Sequence, residues 1–251
     1  MNVNERRDQI IRILTSEEYV TVEALSRTLD VSKMTIRTDL DSLEKKGLLM
    51  RTHGGATLTE KKAMSRMISK TINEFRPQKS MIARTASSFI EEGSTIIIDS
   101  GSTTVHLTRF LGDKHLTVVT GSIPVIADLS SNEELEIVVL GGMLRRASMA
   151  SIGYFARGQL EKIHADILFL GASGYTEDGL YCSNVIEAET KLAMMDCSGK
   201  IVLLADSSKE GRTAFANVSG WDKVDVFITD SISPEMKVKL EDKGVEVVIA
   251  E

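Results

Sequence analysis

Three short stripes of helical periodicity open the chain. Ile10, Ile11 and Leu14 share one face of a helix over Arg6 to Thr15, and Val22, Leu25 and Leu29 share one face of a second, which Thr21 can cap. Ile36, Leu40 and Leu43 mark a third. Its start is punctuated by Ser32, whose side-chain oxygen can accept from a backbone amide near Thr35, and its end by Gly47, a left-handed stop. With its apolar positions turned inward, Lys33, Met34, Arg37, Thr38 and Asp41 face outward. Only Asp30 to Ser32 separate the second and third helices, a helix-turn-helix spacing, and the first stripe closes a three-helix core. After Gly47 the period drops to two. Leu48 and Met50 alternate with Leu49 and Arg51, and Gly54-Gly55 turns a tight hairpin whose return begins at Ala56, so that Arg51 and His53 ride on a wing.

Leu58 to Arg76 is polar and lysine-bearing with weak periodicity. It reads as a connector, so residues 58–76 divide a small domain of residues 1–57 from a larger one of residues 77–251. Pro77 suits a first helical position, and Met81, Ile82, Ala86, Phe89 and Ile90 form a stripe up to Gly93. Seven apolar, β-branched runs then alternate with helical segments: T-I-I-I-D, L-T-V-V-T, E-I-V-V-L, I-L-F-L, I-V-L-L-A-D, V-F-I-T-D and V-E-V-V-I. That alternation predicts a parallel sheet covered by helices, with each strand buried. Several runs stop at a residue able to bind something, among them Asp99, Thr120, Gly141, Gly171 and Asp206. In open α/β sheets the ligand crevice lies outside the strands' carboxyl ends, so these scattered positions form one candidate pocket.

Asp99-Ser100-Gly101-Ser102-Thr103-Thr104 is the sharpest element, a strand end passing through a hydroxyl-rich glycine turn into a helix starting near Thr103. Backbone amides, hydroxyls and the positive end of a helix dipole there suit a phosphate; the alternative is a simple helix cap. Thr120-Gly121-Ser122 repeats the pattern at the next strand end, and Gly141-Gly142 repeats it without hydroxyls. Lys209, just beyond Asp206, is the cation expected to face the crevice. Lys191, inside a helix, reads as a solvated surface charge, and Arg145 and Arg146 suit either role. No G-x-G-x-x-G follows the first strand, which argues against a dinucleotide fold.

At 251 residues, 42% hydrophobic and 26% charged, the chain has room for one small domain and one sizeable core. No stretch approaches a membrane span, and the polar start M-N-V-N-E-R-R-D lacks the apolar run of a secretion signal, so a cytoplasmic location with no membrane partner is expected. Cys182 and Cys197 show no metal spacing and read as reduced thiols; no metal or cofactor is expected. Residues 1–57 carry nine Lys and Arg and nine Asp and Glu, so the net charge of -6 lies wholly in the remainder. Any basic DNA-binding face must come from arrangement, not excess. A helix pair of this kind can also serve as a packing unit or dimerisation arm; the wing beside it favours DNA.

The runs R-R-D-Q-I-I-R-I-L, V-T-V-E-A-L-S-R-T-L-D-V-S-K-M-T-I-R-T-D-L and G-L-L-M-R-T-H-G-G-A resemble the DeoR family of bacterial sugar-metabolism repressors. The likeness continues through D-S-G-S-T-T, G-G-M-L-R, D-S-S-K-E-G and I-T-D, and so covers nearly the whole chain. It implies two domains: an all-α, winged helix-turn-helix N-terminal domain, and an α/β C-terminal domain similar to the ribose-phosphate isomerase fold. It further implies operator DNA and a phosphorylated sugar or sugar-derived effector as partners. Ser32, Lys33, Met34, Thr35, Arg37, Thr38, Arg51, His53 and Gly54 would meet DNA, Met34 by apolar contact with a thymine methyl. Asp99 to Thr104, Thr120 to Ser122, Gly141, Gly142, Asp206 and Lys209 would meet the effector. Thr38 stands where the family commonly carries a second cation, and Gly121 where an asparagine is usual.

Two functions follow. One is a ligand-responsive repressor of a carbohydrate catabolic operon, without catalysis; because a single module of about 600 to 1,000 Å² seldom supplies operator-grade affinity, a homodimer or homotetramer is expected. The other is a sugar-phosphate isomerase with an appended DNA-binding domain, with Asp206 and Lys209, or Asp99, as its acid-base groups.

Overall fold

The computed structural model describes residues 3–16, 20–45, 49–52, 54–58 and 68–251, which group into two units, Met1–Arg66 and Met67–Glu251. In the first, helices α1 (Val3–Ser16), α2 (Val22–Thr28) and α3 (Lys33–Lys45) surround a core that buries Ile10, Leu14, Leu25, Ile36 and Leu40. The Thr21 hydroxyl oxygen accepts from the Ala24 amide at 3.1 Å, and that of Ser32 from the Thr35 amide at 3.1 Å, so both N-caps form as the sequence dictates. Strands β1 (Val20–Thr21), β2 (Leu49–Thr52) and β3 (Gly55–Leu58) make an antiparallel sheet in the order β1-β3-β2. The return begins one residue earlier than expected. Thr52 pairs with Gly55, so the turn ends at Gly54, whose φ of 95° suits glycine.

In the second unit a helical turn α4 (Ile68–Thr71) and helix α5 (Arg76–Ser87) precede the sheet strands β4 (Thr95–Ile98), β5 (Leu116–Thr120) and β6 (Leu135–Val139). Helix α6 (Ile123–Leu129) lies between β5 and β6 in the chain. A hairpin of β7 (Met143–Arg145) and β8 (Ala150–Ile152), then helix α7 (Tyr154–Leu160), lead to β9 (Ala165–Gly171). Next come β10 (Gly174–Thr176), β11 (Gly179–Cys182), helix α8 (Val185–Asp196), β12 (Ser198–Leu204), β13 (Ala216–Ser219), β14 (Val226–Thr229), helix α9 (Pro234–Glu241) and β15 (Glu246–Ile249).

All seven apolar runs are strands of one parallel sheet, ordered β15-β14-β12-β9-β4-β5-β6. Alternate residues feed two cores: Ile97, Leu168, Leu203 and Phe227 on one face, Ile96, Ile98, Phe169, Val202 and Ile228 on the other. The two edge strands differ from the expectation of full burial. With a single neighbour each, they leave Val139 51% and Ile249 40% exposed. Ile68, within the expected connector, is buried in the second unit's core. The short antiparallel sheet β10-β11-β13 and the β7–β8 hairpin carry too few residues to show a period in the sequence.

Strand β4, the first of the sheet, sits in its interior; β5 and β6 are laid on one side, and the chain then returns to place β9 on the other. The switch point therefore lies between β4 and β9, and the crevice belongs outside their carboxyl ends, at Asp99 to Gly101 and Gly171.

Candidate functional site

Helix α3 buries Ile36, Leu40 and Leu43 and so presents Lys33, Met34, Arg37 and Thr38 to solvent, Met34 at 70% exposure. Arg37 has no ion-pair partner among the described residues. Its neighbours are more committed. Ser32 is spent as the cap and also bonds the Thr35 hydroxyl at 2.9 Å, the Thr38 hydroxyl donates to the Met34 carbonyl oxygen at 3.1 Å, and Lys33 pairs with Glu23. Arg51 does not extend from the wing: its guanidinium pairs with Asp41, and its amide donates to Glu44 Oε1 at 2.8 Å. Gly54 is exposed, and His53 lies outside the described residues. Asp39, 2% exposed, accepts from Arg6 Nε at 2.6 Å and Arg7 Nε at 2.9 Å, which fixes α3 against α1. That pairing escaped sequence reasoning, although Asp39 falls on the buried side, three residues after Ile36.

At the switch point, Lys191 of α8 donates to Asp99 Oδ2 and, at 3.0 Å, to the Gly171 carbonyl oxygen, while the Gly171 amide donates to Asp99 Oδ2 at 2.9 Å. Burial acts to lower the lysine's pKa, but the Asp99 and Glu187 carboxylates outweigh it and hold the ammonium above its ordinary value, so it stays charged. The backbone amides of Ser100, Gly101, Ser102 and Thr103 make no hydrogen bond among the described residues, and Ser100 lies in the cleft lining. Asp99, Ser100, Gly121, Ser151, Glu187 and Lys191 line a cleft there. Two buried hydroxyls, Ser122 Oγ and Ser151 Oγ, have no hydrogen-bond partner among the described residues; Ser151 lines the cleft, and Ser122 lies outside that lining. Bare amides, a held ammonium and a spare hydroxyl can bind an anion that also carries hydroxyl groups.

Residues 6–62 match the family model of the DeoR-like helix-turn-helix domain, and residues 74–231 that of the DeoR C terminal sensor domain. The chain belongs to the DeoR family. As a DeoR-family member it is a transcriptional regulator, as its relatives are named. It is 34% identical over 250 residues to the HTH-type transcriptional regulator GolR of Listeria innocua, covering 98% of each chain. It is 30% identical to the HTH-type transcriptional repressor CsqR of Escherichia coli K12, over 98% of this chain and 95% of that one. Ribose 5-phosphate isomerase A from Neisseria gonorrhoeae aligns with a TM-score of 0.39 at 20% identity, over 53% of this chain and 52% of that one. The translation initiation factor eIF-2B of Pyrococcus horikoshii OT3 aligns with a TM-score of 0.47 at 15% identity, over 90% and 86% of the chains.

Of the effector residues read from the DeoR resemblance, Asp99, Ser100 and Gly121 line the cleft. Gly101 lies against Gly171, where an added Cβ would stand 3.1 Å from the Gly171 Cα, so its role is to let two chain segments meet. The helix after Thr103 is a 3-10 helix, Thr104–Phe110, and no side-chain cap forms at Thr103, which is itself buried. Ser102 is half-buried in the turn. The Thr104 hydroxyl donates to Gly101 O at 2.8 Å, and that of Thr120 to Ile98 O at 2.6 Å; both are fully buried and serve the backbone, not a ligand. Gly141 and Gly142 are exposed and lie outside that lining. Asp206 lies outside that lining, its Oδ1 accepting from the Ser208 amide at 3.2 Å and its Oδ2 standing 3.9 Å from Lys79 Nζ, and Lys209 in the following turn lies outside it too. The cation that does is Lys191, against expectation. Its signal was present: α8 buries Ala188, Met194 and Met195 at helical spacing, and Lys191 falls on that same stripe.

Proposed function

We propose that the protein is a repressor of a carbohydrate catabolic operon, that α3 enters the major groove of operator DNA, and that a phosphorylated sugar or related metabolite in the β4–β9 crevice changes operator affinity. The observation that carries the DNA reading is the exposed Met34-Arg37-Thr38 face on a capped helix whose other side is wholly packed. Relatives named for the aga operon and the L-fucose operon support a sugar pathway. The unbonded amides of the Ser100–Thr103 turn support a phosphate, and Lys191 and the spare Ser151 hydroxyl support a polyhydroxylated body attached to it.

In a gel-shift titration on the native operator, Arg37→Ala weakens binding by about 1 to 3 kcal/mol if the guanidinium reads a guanine. An unchanged affinity rejects the groove assignment. Pentose and hexose phosphates are screened for a rise in melting temperature of the intact chain. The compound that stabilises the parent fails to stabilise Lys191→Met, and an equal rise in both removes Lys191 from the site.

A further inference from the structure

The first described residues of the larger unit are gripped from the ligand edge of its sheet. Lys79 on α5 is 1% exposed, donates to the Thr71 carbonyl oxygen and faces Asp206 at 3.9 Å, just past the end of β12. His106 is 1% exposed and stands two residues beyond the Asp99–Thr104 turn, its Nε2 3.0 Å from the Ile72 carbonyl oxygen. A carbonyl only accepts, so Nε2 carries the proton. Burial, with the Arg109 and Lys79 cations nearby, holds this imidazole below its ordinary pKa and therefore neutral. Its Nδ1 is buried without a hydrogen-bond partner among the described residues.

Thr71 ends the helical turn α4 and Ile72 follows it, where free carbonyls are expected. Water or a glycine cap would satisfy them at little cost, whereas an ammonium and an imidazole buried for the purpose are expensive to desolvate. Both donors moreover meet strand-end segments, Lys79 through its 3.9 Å ion pair with Asp206 and His106 through the 3-10 helix that follows the Ser100–Thr103 turn. The carbonyls they hold belong to the stretch of chain that runs back through residues 59–67 to the DNA-binding unit.

We propose that Lys79 and His106 are positioning residues that transmit occupancy of the crevice to the segment 68–76, and so to operator affinity. The proposal rests on the crevice being the effector site. A ligand that draws the Ser100–Thr103 amides toward itself moves the 3-10 helix bearing His106, and the hold on Ile72 tightens or slackens with it. The two arrangements differ in that contact, which gives a ligand something to select between.

Hydrogen–deuterium exchange on the full chain tests this, with inorganic phosphate, ribose 5-phosphate and glucose 6-phosphate as probes. A probe protects residues 100–104 of the parent and changes exchange across 68–76 by about fivefold or more. In His106→Leu and Lys79→Met the same probe protects 100–104 and leaves 68–76 unmoved, while His106→Gln, which keeps an N–H donor, restores the response. Protection at 100–104 with no change at 68–76 in the parent overturns the coupling and leaves the effector site standing. A response in His106→Leu and Lys79→Met equal to the parent's overturns it as well. No protection at 100–104 by any probe overturns the effector reading, and the coupling falls with it.

Discussion

Asp39 shows how one carboxylate can set a helix. It sits on the inner side of α3 and holds two guanidinium groups of α1, so the face carrying Arg37 is oriented by an ion-pair triad as well as by apolar packing. Asp39→Ala leaves two arginines without their acceptor and lowers the stability of the small unit by about 3 kcal/mol, read as an earlier urea midpoint for its helix signal. A midpoint within error of the parent's means the triad is not holding α3. Residues of this kind are hard to read in a sequence. Asp39, Lys79 and Lys191 each lie on the apolar stripe of a helix, yet a charged residue there is weighed as a break in the stripe unless its partner is known. The partners of Asp39 and Lys191 are 32 and 33, and 92, positions away in the chain. Ser32, Thr21 and Arg37 were legible because a cap and an outward face are decided within one or two turns.

At the scale of elements, the seven sheet strands were legible because each is a continuous apolar run bounded by polar or glycine residues, and burial on two faces requires just that. Their order was not, since it depends on where the chain reverses, and so Lys191 reads as a surface charge in the sequence although it is buried at the switch point. The β7–β8 hairpin was missed as well, although it supplies Ser151 to the cleft and its register is held against the end of β5. Ser151 N donates to Gly121 O at 2.8 Å, and a Cβ on Gly121 would stand only 2.7 Å from the Ser151 carbonyl oxygen. Gly121→Ala therefore displaces the hairpin and costs about 1 to 3 kcal/mol, with weakened effector stabilisation in a thermal-shift assay. Gly158→Ala, on α7 with nothing within 4 Å of the added methyl, is the matched control and raises stability by about 0.5 to 1 kcal/mol. If both substitutions leave the melting temperature equal, the close approach at Gly121 is not a constraint.

For the whole molecule, charge is partitioned: the net -6 belongs to the sensor part, and residues 1–57 balance. Among the described residues of that balanced part, Arg6, Arg7, Lys33 and Arg51 are already matched to carboxylates. Counterion release scales with the number of phosphates neutralised, so fluorescence anisotropy on a duplex of scrambled sequence shows weak binding with a shallow salt slope, shallower than on the operator. A steep slope on scrambled DNA contradicts this. The Arg51–Asp41 pair sharpens the point: if the wing meets a phosphate backbone as proposed, that pair must open first, a cost an arbitrary stretch of chromosome repays poorly. On that reading such a regulator leaves bulk genomic DNA readily, and little of it is held at irrelevant sites.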